Sequence, residues 1–167
     1  LEARRESITE ELRTQRTRIE RLEADVVETF NDRMAEVLSL LAYDRIDRIW
    51  LETRDRSDGR GADPERVFDL HIVRQGDDGG VYEDTVDTLS ESEREVAGLV
   101  FALAGYLAHD LHETVPFVLL DSLEAIDADR IARLLDYFAD HTRYLVVALL
   151  ETDARAVADR HERIQMG

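Results

Sequence analysis

A chain of 167 residues, 44% of them apolar, has room for one domain with a real core and an appendage. It has no cysteine, which excludes a disulfide framework and a thiolate metal site, and its longest apolar run, Val96 to Ala108, is too short to cross a bilayer. The net charge of −17 arises from 38 acidic against 21 basic residues, and every basic one is arginine.

Acidity without lysine suits a protein that works in molar salt. There the Debye length falls to about 3 Å, so the self-repulsion that would weaken the fold in dilute buffer is screened. The same salt weakens any contact with nucleic acid, which would need a local arginine cluster. No basic-then-apolar leader opens the chain, and an intracellular location is the expectation. A first residue other than Met is expected of a segment cut from something longer.

In chain order, residues 1 to about 26 are nearly all polar, with apolar residues at Ile8, Leu12, Ile19, Leu22 and Val26 and Gln15 filling the gap. This alternating 4–3 seam is that of a coiled coil, and its polar flanks suggest a partner helix not present in this chain. Arg4, Arg5, Arg13, Arg16, Arg18 and Arg21 supply the positive charge of this arm; pairing with its own glutamates is expected, with a DNA-facing surface near the head as the alternative. The helix is expected to run on through Phe30, Met34, Val37, Leu38 and Leu41 into a globular head, which places an arm end at 1–42 and a head lobe at 43–167. Strands follow at 45–53 and 67–75, with loops at 54–66 and 76–80, and the segment VYEDTVDTL begins with a return strand.

Leu89 onward reads as a helix, a buried strand from Pro116 to Asp121, a helix at 128–140, a second strand at 144–150 buried on both faces, and a final helix at 152–164 capped by Thr152 or Asp153. Apolar strands alternating with helices imply a parallel sheet, so the fold class is α/β. Ser90 with Glu93 fits a capping box, a common way to start a helix that also offers a hydroxyl and free N–H groups to an anion. An aspartate ending a buried strand, Asp121, is well placed to hold Mg2+. His109 and His112 share a helical spacing that suits a metal, but Asp110 and Glu113 beside them read as ordinary surface residues of so acidic a chain, and His71 and His141 read as solvated.

A coiled-coil entry, antiparallel strands, a serine-capped apolar helix and a strand ending in aspartate together resemble one family. The chain is similar to the C-terminal lobe of the ABC-type ATPase head of structural-maintenance-of-chromosomes (SMC) proteins, and among them to the SMC-related proteins of halophilic archaea. The resemblance implies that Leu89, Ser90, Glu91, Ser92 and Glu93 stand at the signature motif, which reaches across a head–head dimer to the γ-phosphate of ATP. It implies that Asp121 is the Mg2+-linked carboxylate at the end of the Walker B strand and that Asp127 lies in the interface loop. It further implies as partners the N-terminal half of the same head with its antiparallel helix, a second head in an ATP-dependent homodimer, and DNA, with no membrane. DNA repair or chromosome organisation on the cytoplasmic nucleoid would be the output.

The pattern departs from that family at defined residues. Glu91 and Ser92 replace the glycines that let backbone approach phosphate, and Ser122 replaces the glutamate that orients the attacking water, with Glu124 the nearest carboxylate to act instead. Leu149, Leu150 and Glu151 stand where a switch histidine is expected. A chain without lysine has no phosphate-binding G-x-x-x-x-G-K-[ST] loop, so it supplies half a site. Slow hydrolysis is expected, and the contrasting expectation is a non-catalytic dimerisation or coiled-coil interaction module.

Overall fold

The structure, a computed structural model, describes residues 2–56, 65–76, 79–157, 161, 162 and 164. Helix α1 (Glu2–Leu41) is exposed along residues 2–29, apart from Val27 and Glu23, which are half-buried, Glu23 pairing with Arg66. Residues 2–29 span about 42 Å at 1.5 Å of rise each. The seam residues Ile8, Leu12, Ile19, Leu22 and Val26 are between 48% and 58% exposed, so the seam lies uncovered along the helix. From Phe30 the helix enters the head, burying Phe30, Met34, Val37, Leu38 and Leu41 at i, i+4, i+7, i+8 and i+11. Ala42 stops it in a left-handed conformation (φ 43°), its N–H donating to the Leu38 and Ser39 carbonyls.

Strands β1 (Ile46–Arg56), β2 (Glu65–Gln75) and β3 (Val81–Asp84) form an antiparallel sheet in that order. Ile49 pairs with Ile72 and Leu51 with Leu70, so one face meets the core. Strand β1 is an edge, and its outward groups at Leu51 are taken by Asn31 of α1. The Asn31 amide donates to the Leu51 carbonyl at 3.0 Å and accepts the Leu51 N–H at 2.7 Å. This fork fixes the arm helix to the sheet. Asn31→Leu leaves both backbone groups without partners, for an expected loss of about 1–3 kcal/mol; a chemical denaturation midpoint equal to that of the parent would show that water replaces the fork.

Helix α2 (Glu91–Ala108) buries Val96, Ala97, Val100, Leu103, Ala104 and Leu107 against α1. A Cβ added at Gly105 would lie 3.2 Å from the Phe30 ring, so this glycine sets how closely the two helices approach. After the short α3 (Leu111–Thr114), β4 (Phe117–Leu120) pairs in parallel with β5 (Tyr144–Val147), and α4 (Ala128–His141) connects them. Helix α4 buries Ile131, Leu134, Leu135 and Phe138, and α5 (Glu151–Val157) packs on α4. The Tyr106 hydroxyl lies 2.9 Å from the Val115 carbonyl and 3.2 Å from the Thr142 hydroxyl, so the C-terminal end of α2 meets the beginnings of both parallel strands.

Three expectations are corrected. The parallel strands are not buried on both faces: Val118 and Leu120 are buried, but Phe117, Leu119, Tyr144 and Val146 are 48% to 62% exposed, because helices cover one face only. The return strand opens VYEDTVDTL as expected and ends at Asp84, whose carboxylate accepts the Thr85 N–H and the Thr88 hydroxyl and turns the chain into a single 3-10 turn at Val86–Thr88. Helix α5 starts at Glu151, with Leu150 rather than Thr152 or Asp153 accepting its first N–H groups, and the predicted continuation to residue 164 passes outside the described residues at 158–160 and 163. His71 is not solvated: its ring stacks on Trp50 at 4.8 Å between the Glu83 and Glu52 carboxylates. Strand β1 outruns its predicted end, and the rest of the predicted loop, 57–64, lies outside the described residues.

Candidate functional site

The predicted residues fall into two groups. The first is the N-terminus of α2. Leu89 is buried and anchors the turn, which leaves Ser90 and Glu91 exposed at the helix end. Ser90 is the N-cap with extended backbone (φ −61°, ψ 164°), and it forms the expected capping box with Glu93. The Ser90 N–H and hydroxyl both donate to Glu93 Oε2, at 2.8 and 2.6 Å. Ser92 stands 3.4 Å from the Ser90 hydroxyl. The Arg94 guanidinium donates to the Leu89 carbonyl at 3.1 Å, which brings one positive charge to the same helix end as Glu91.

Glu93 differs from its neighbours in being 1% exposed. Its other oxygen accepts from Arg74 at 2.9 Å, and Arg74 reaches Asp84 at 2.7 Å. Burial pushes the Glu93 carboxyl up, but the two Ser90 hydrogen bonds and the Arg74 charge outweigh it and hold the group below its ordinary value. The sequence reading missed Arg74 and Asp84. The signal was present for Arg74, which shares the β2 face of the apolar Phe68, Leu70 and Ile72.

The second group is the β4–α4 loop. Asp121 is exposed at the end of β4, and its carboxylate accepts the Ser122 N–H at 2.9 Å. Ser122 is left-handed (φ 59°) and exposed. Buried Leu123 and Ile126 pin the loop from beneath, with the Ile126 N–H on the Leu123 carbonyl at 3.0 Å, and this leaves Glu124 exposed. Asp127 caps α4, accepting the Arg130 N–H at 3.0 Å and its guanidinium at 2.9 Å; Arg130 also reaches Asp44, beside the foot of the arm, at 3.0 Å.

No hydrogen bond or ion pair among the described residues joins the two groups. A groove of about 520 Å³ between α1 and β1, lined by Asp32, Tyr43 and Trp50 among others, is bordered by neither. Among the described residues no three His, Asp or Glu side chains converge on a metal position, so the His109–His112 spacing gathers no third ligand. No described helix is long and apolar enough to cross a membrane. The chain thus presents one hydroxyl at a helix N-terminus and one carboxylate at a strand end, each with an open side and neither complete by itself.

No protein-family model matches the chain. It is 56% identical over 154 residues to Smc-like protein Sph3 of Haloferax volcanii, covering 91% of this chain and 24% of that protein. It is 54% identical over 153 residues to Smc-like protein Sph2 of Halobacterium salinarum, covering 88% and 23%. Smc-like protein Sph1 of Halobacterium salinarum is 31% identical over 123 residues. The chain therefore spans about a quarter of the length of Sph3 and Sph2. Its fold aligns with a solved structure from work on the structural biochemistry of ATP-driven dimerization and DNA-stimulated activation of SMC ATPases, with a TM-score of 0.52 and 17% identity over 84% of this chain and 79% of that one. With more than half of its residues shared across nine-tenths of its length, and with the fold of an SMC ATPase head, the chain belongs to the Smc-like proteins of halophiles.

Proposed function

We propose that this chain is the C-terminal lobe of an ATP-dependent SMC-like head, residues 43–167, carrying the end of its coiled-coil arm, residues 1–42. The observation that carries the reading is the exposed Ser90 cap at the N-terminus of α2, in a chain so similar to Smc-like proteins. A helix N-terminus favours an anion through its free N–H groups and dipole. Leu89 to Glu93 would meet the γ-phosphate held by a second head, with Ser90 as the contacting side chain, Glu91 and Ser92 lining the approach and Glu93 holding the cap. Asp121 would hold Mg2+, Ser122 and Glu124 would border the attacking water, and Asp127 would lie at the interface. Bound Mg2+ and ATP supply the charged phosphate chain that joins the heads. The residues here fit half of that site, because a phosphate-loop lysine has to come from elsewhere.

Two bare surfaces support the missing partners. The exposed face of β4 and β5, with Phe117, Leu119, Tyr144 and Val146, suits the N-terminal half of the head. The open seam of α1 suits that half's antiparallel helix. The arm arginines Arg4, Arg5, Arg13, Arg16, Arg18 and Arg21 are exposed, and DNA is the partner proposed for them, with the arm's own glutamates as the alternative. The full protein would act in DNA repair or chromosome organisation on the cytoplasmic nucleoid.

The test is Ser90→Ala in the full-length protein carrying this chain, in molar KCl. ATP-dependent dimerisation, followed by sedimentation velocity, should weaken at least tenfold, while loss of the cap lowers stability by only about 1 kcal/mol. Dimerisation unchanged by ATP or by the substitution would favour the second reading, a non-catalytic interaction module, which the replacement of glutamate by Ser122 keeps in view.

A further inference from the structure

Arg74 sits on the face of β2 that turns towards the core, where a charge has to be paired. Its side chain is 17% exposed and lies between two carboxylates, Asp84 and Glu93. Glu93 in turn divides its oxygens, one towards Arg74 and the other towards the Ser90 hydroxyl and N–H. A serine hydroxyl has a single proton. With that proton directed at Glu93, Ser90 Oγ presents only lone pairs to solvent. A phosphate oxygen is itself an acceptor, so Ser90 has to release Glu93 before it can donate to phosphate.

We propose that Arg74 is a positioning residue for Ser90: by drawing charge from the buried Glu93 carboxylate it sets how firmly the Ser90 proton is held inward, and so how readily Ser90 turns it to a phosphate at the N-terminus of α2. The inference rests on the reading of Ser90 given above. Its physical content is a difference in sign. Without Arg74, Glu93 is an unshared carboxylate and a stronger acceptor for the Ser90 proton. With glutamine at position 93, either the weaker amide oxygen or the donating NH2 faces Ser90, and the proton is released. A purely structural network would instead weaken the site whichever member is removed.

The experiment uses the full-length protein carrying this chain in molar KCl, with Arg74→Gln, Arg74→Lys, Glu93→Gln, Ser90→Ala and the Arg74→Gln/Glu93→Gln pair. Two quantities are read: the ATP-dependent dimer dissociation constant, and amide exchange at Ser90 without nucleotide. Arg74→Gln should weaken the dimer about tenfold with the Ser90 amide still protected, and Arg74→Lys should stay within about threefold of the parent. Glu93→Gln should tighten the dimer by about threefold, and the double variant should return close to the parent. Equal weakening by Arg74→Gln and Glu93→Gln, or a tenfold loss of Ser90 amide protection in Arg74→Gln, would overturn the proposal. If Ser90→Ala abolishes ATP-dependent dimerisation while the Arg74 and Glu93 series is silent, only this inference fails. If Ser90→Ala is itself silent, the reading of Ser90 fails and this inference with it.

Discussion

Replacing Glu93 with alanine is expected to destabilise the lobe by about 3–5 kcal/mol, the usual loss when one member of a buried ion pair is removed. The carboxylate is 1% exposed and answers three donors at once: the Ser90 N–H, the Ser90 hydroxyl and Arg74. Its removal takes away the Glu93 half of the capping box and leaves Arg74, on the inner face of the sheet, with Asp84 alone. That remaining 2.7 Å pair argues for the lower half of the range. Chemical denaturation at fixed ionic strength gives the number. Its salt dependence is a second check, because a buried pair is screened little. The loss should persist in molar KCl, where removing an exposed pair such as Arg155–Glu151, 3.3 Å apart and about 70% exposed on both sides, should have no measurable effect. A loss below about 1 kcal/mol in high salt would mean that water reaches this network.

The same network predicts a pH dependence of definite sign. The Glu93 carboxyl is held below its ordinary value, against the opposing effect of burial. Asp84 is likewise held down, first by the Thr88 hydroxyl and the Thr85 N–H and then by Arg74. A carboxyl with a depressed folded-state pKa contributes stability that is complete above its unfolded value and disappears as pH falls through the lower folded value. The stability gap between the parent and Glu93→Ala should therefore be flat from about pH 5 to 8 and narrow only below about pH 4.

How far the residues alone lead is clearest where they succeed and fail side by side. The arm was legible because its pattern is strong and local: a 4–3 seam needs only the helix itself, and the shift to a wider apolar face at Phe30 marks where that helix meets a core. The Ser90–Glu93 box was legible for the same reason, since both partners lie within one turn. The strand Tyr144–Leu150 failed because a continuous apolar run reports what a segment is suited to touch, not what is there to touch it. Its outer face is apolar and uncovered within a chain that spans a quarter of its relatives. Arg74 and Asn31 failed for another reason. Each acts on a residue 19 or 20 positions away, Glu93 and Leu51, and such pairings arise from topology rather than from spacing.

Ser122→Glu is expected to raise ATP turnover in the full-length protein by about 10²–10⁴-fold, the usual contribution of a positioned general base. Ser122 directly follows Asp121 at the end of β4, is exposed, and has a hydroxyl too weakly basic at neutral pH to take a proton from water. A carboxylate one residue beyond the proposed Mg2+ ligand would reach the water approaching the same phosphate. The backbone opposes the change only modestly. Ser122 already occupies the left-handed region at φ 59°, where any L-residue with a Cβ is disfavoured by about 1–2 kcal/mol, so glutamate adds little that serine does not already bear. Ser122→Gly supplies the control: it fits that conformation without a Cβ, should fold at least as well, and should leave turnover at the parent's level. Glu124 supplies the competing account. It is the other exposed carboxylate of the loop, and if it already serves as the base, Glu124→Gln should abolish the parent's slow turnover while Ser122→Glu adds less than about tenfold. Steady-state phosphate release at saturating ATP, with dimerisation measured in parallel to show that binding is intact, separates the two. A turnover in Ser122→Glu no higher than in Ser122→Gly, in a protein that still dimerises with ATP, would place the attacking water away from the end of β4 and remove Ser122 from the site.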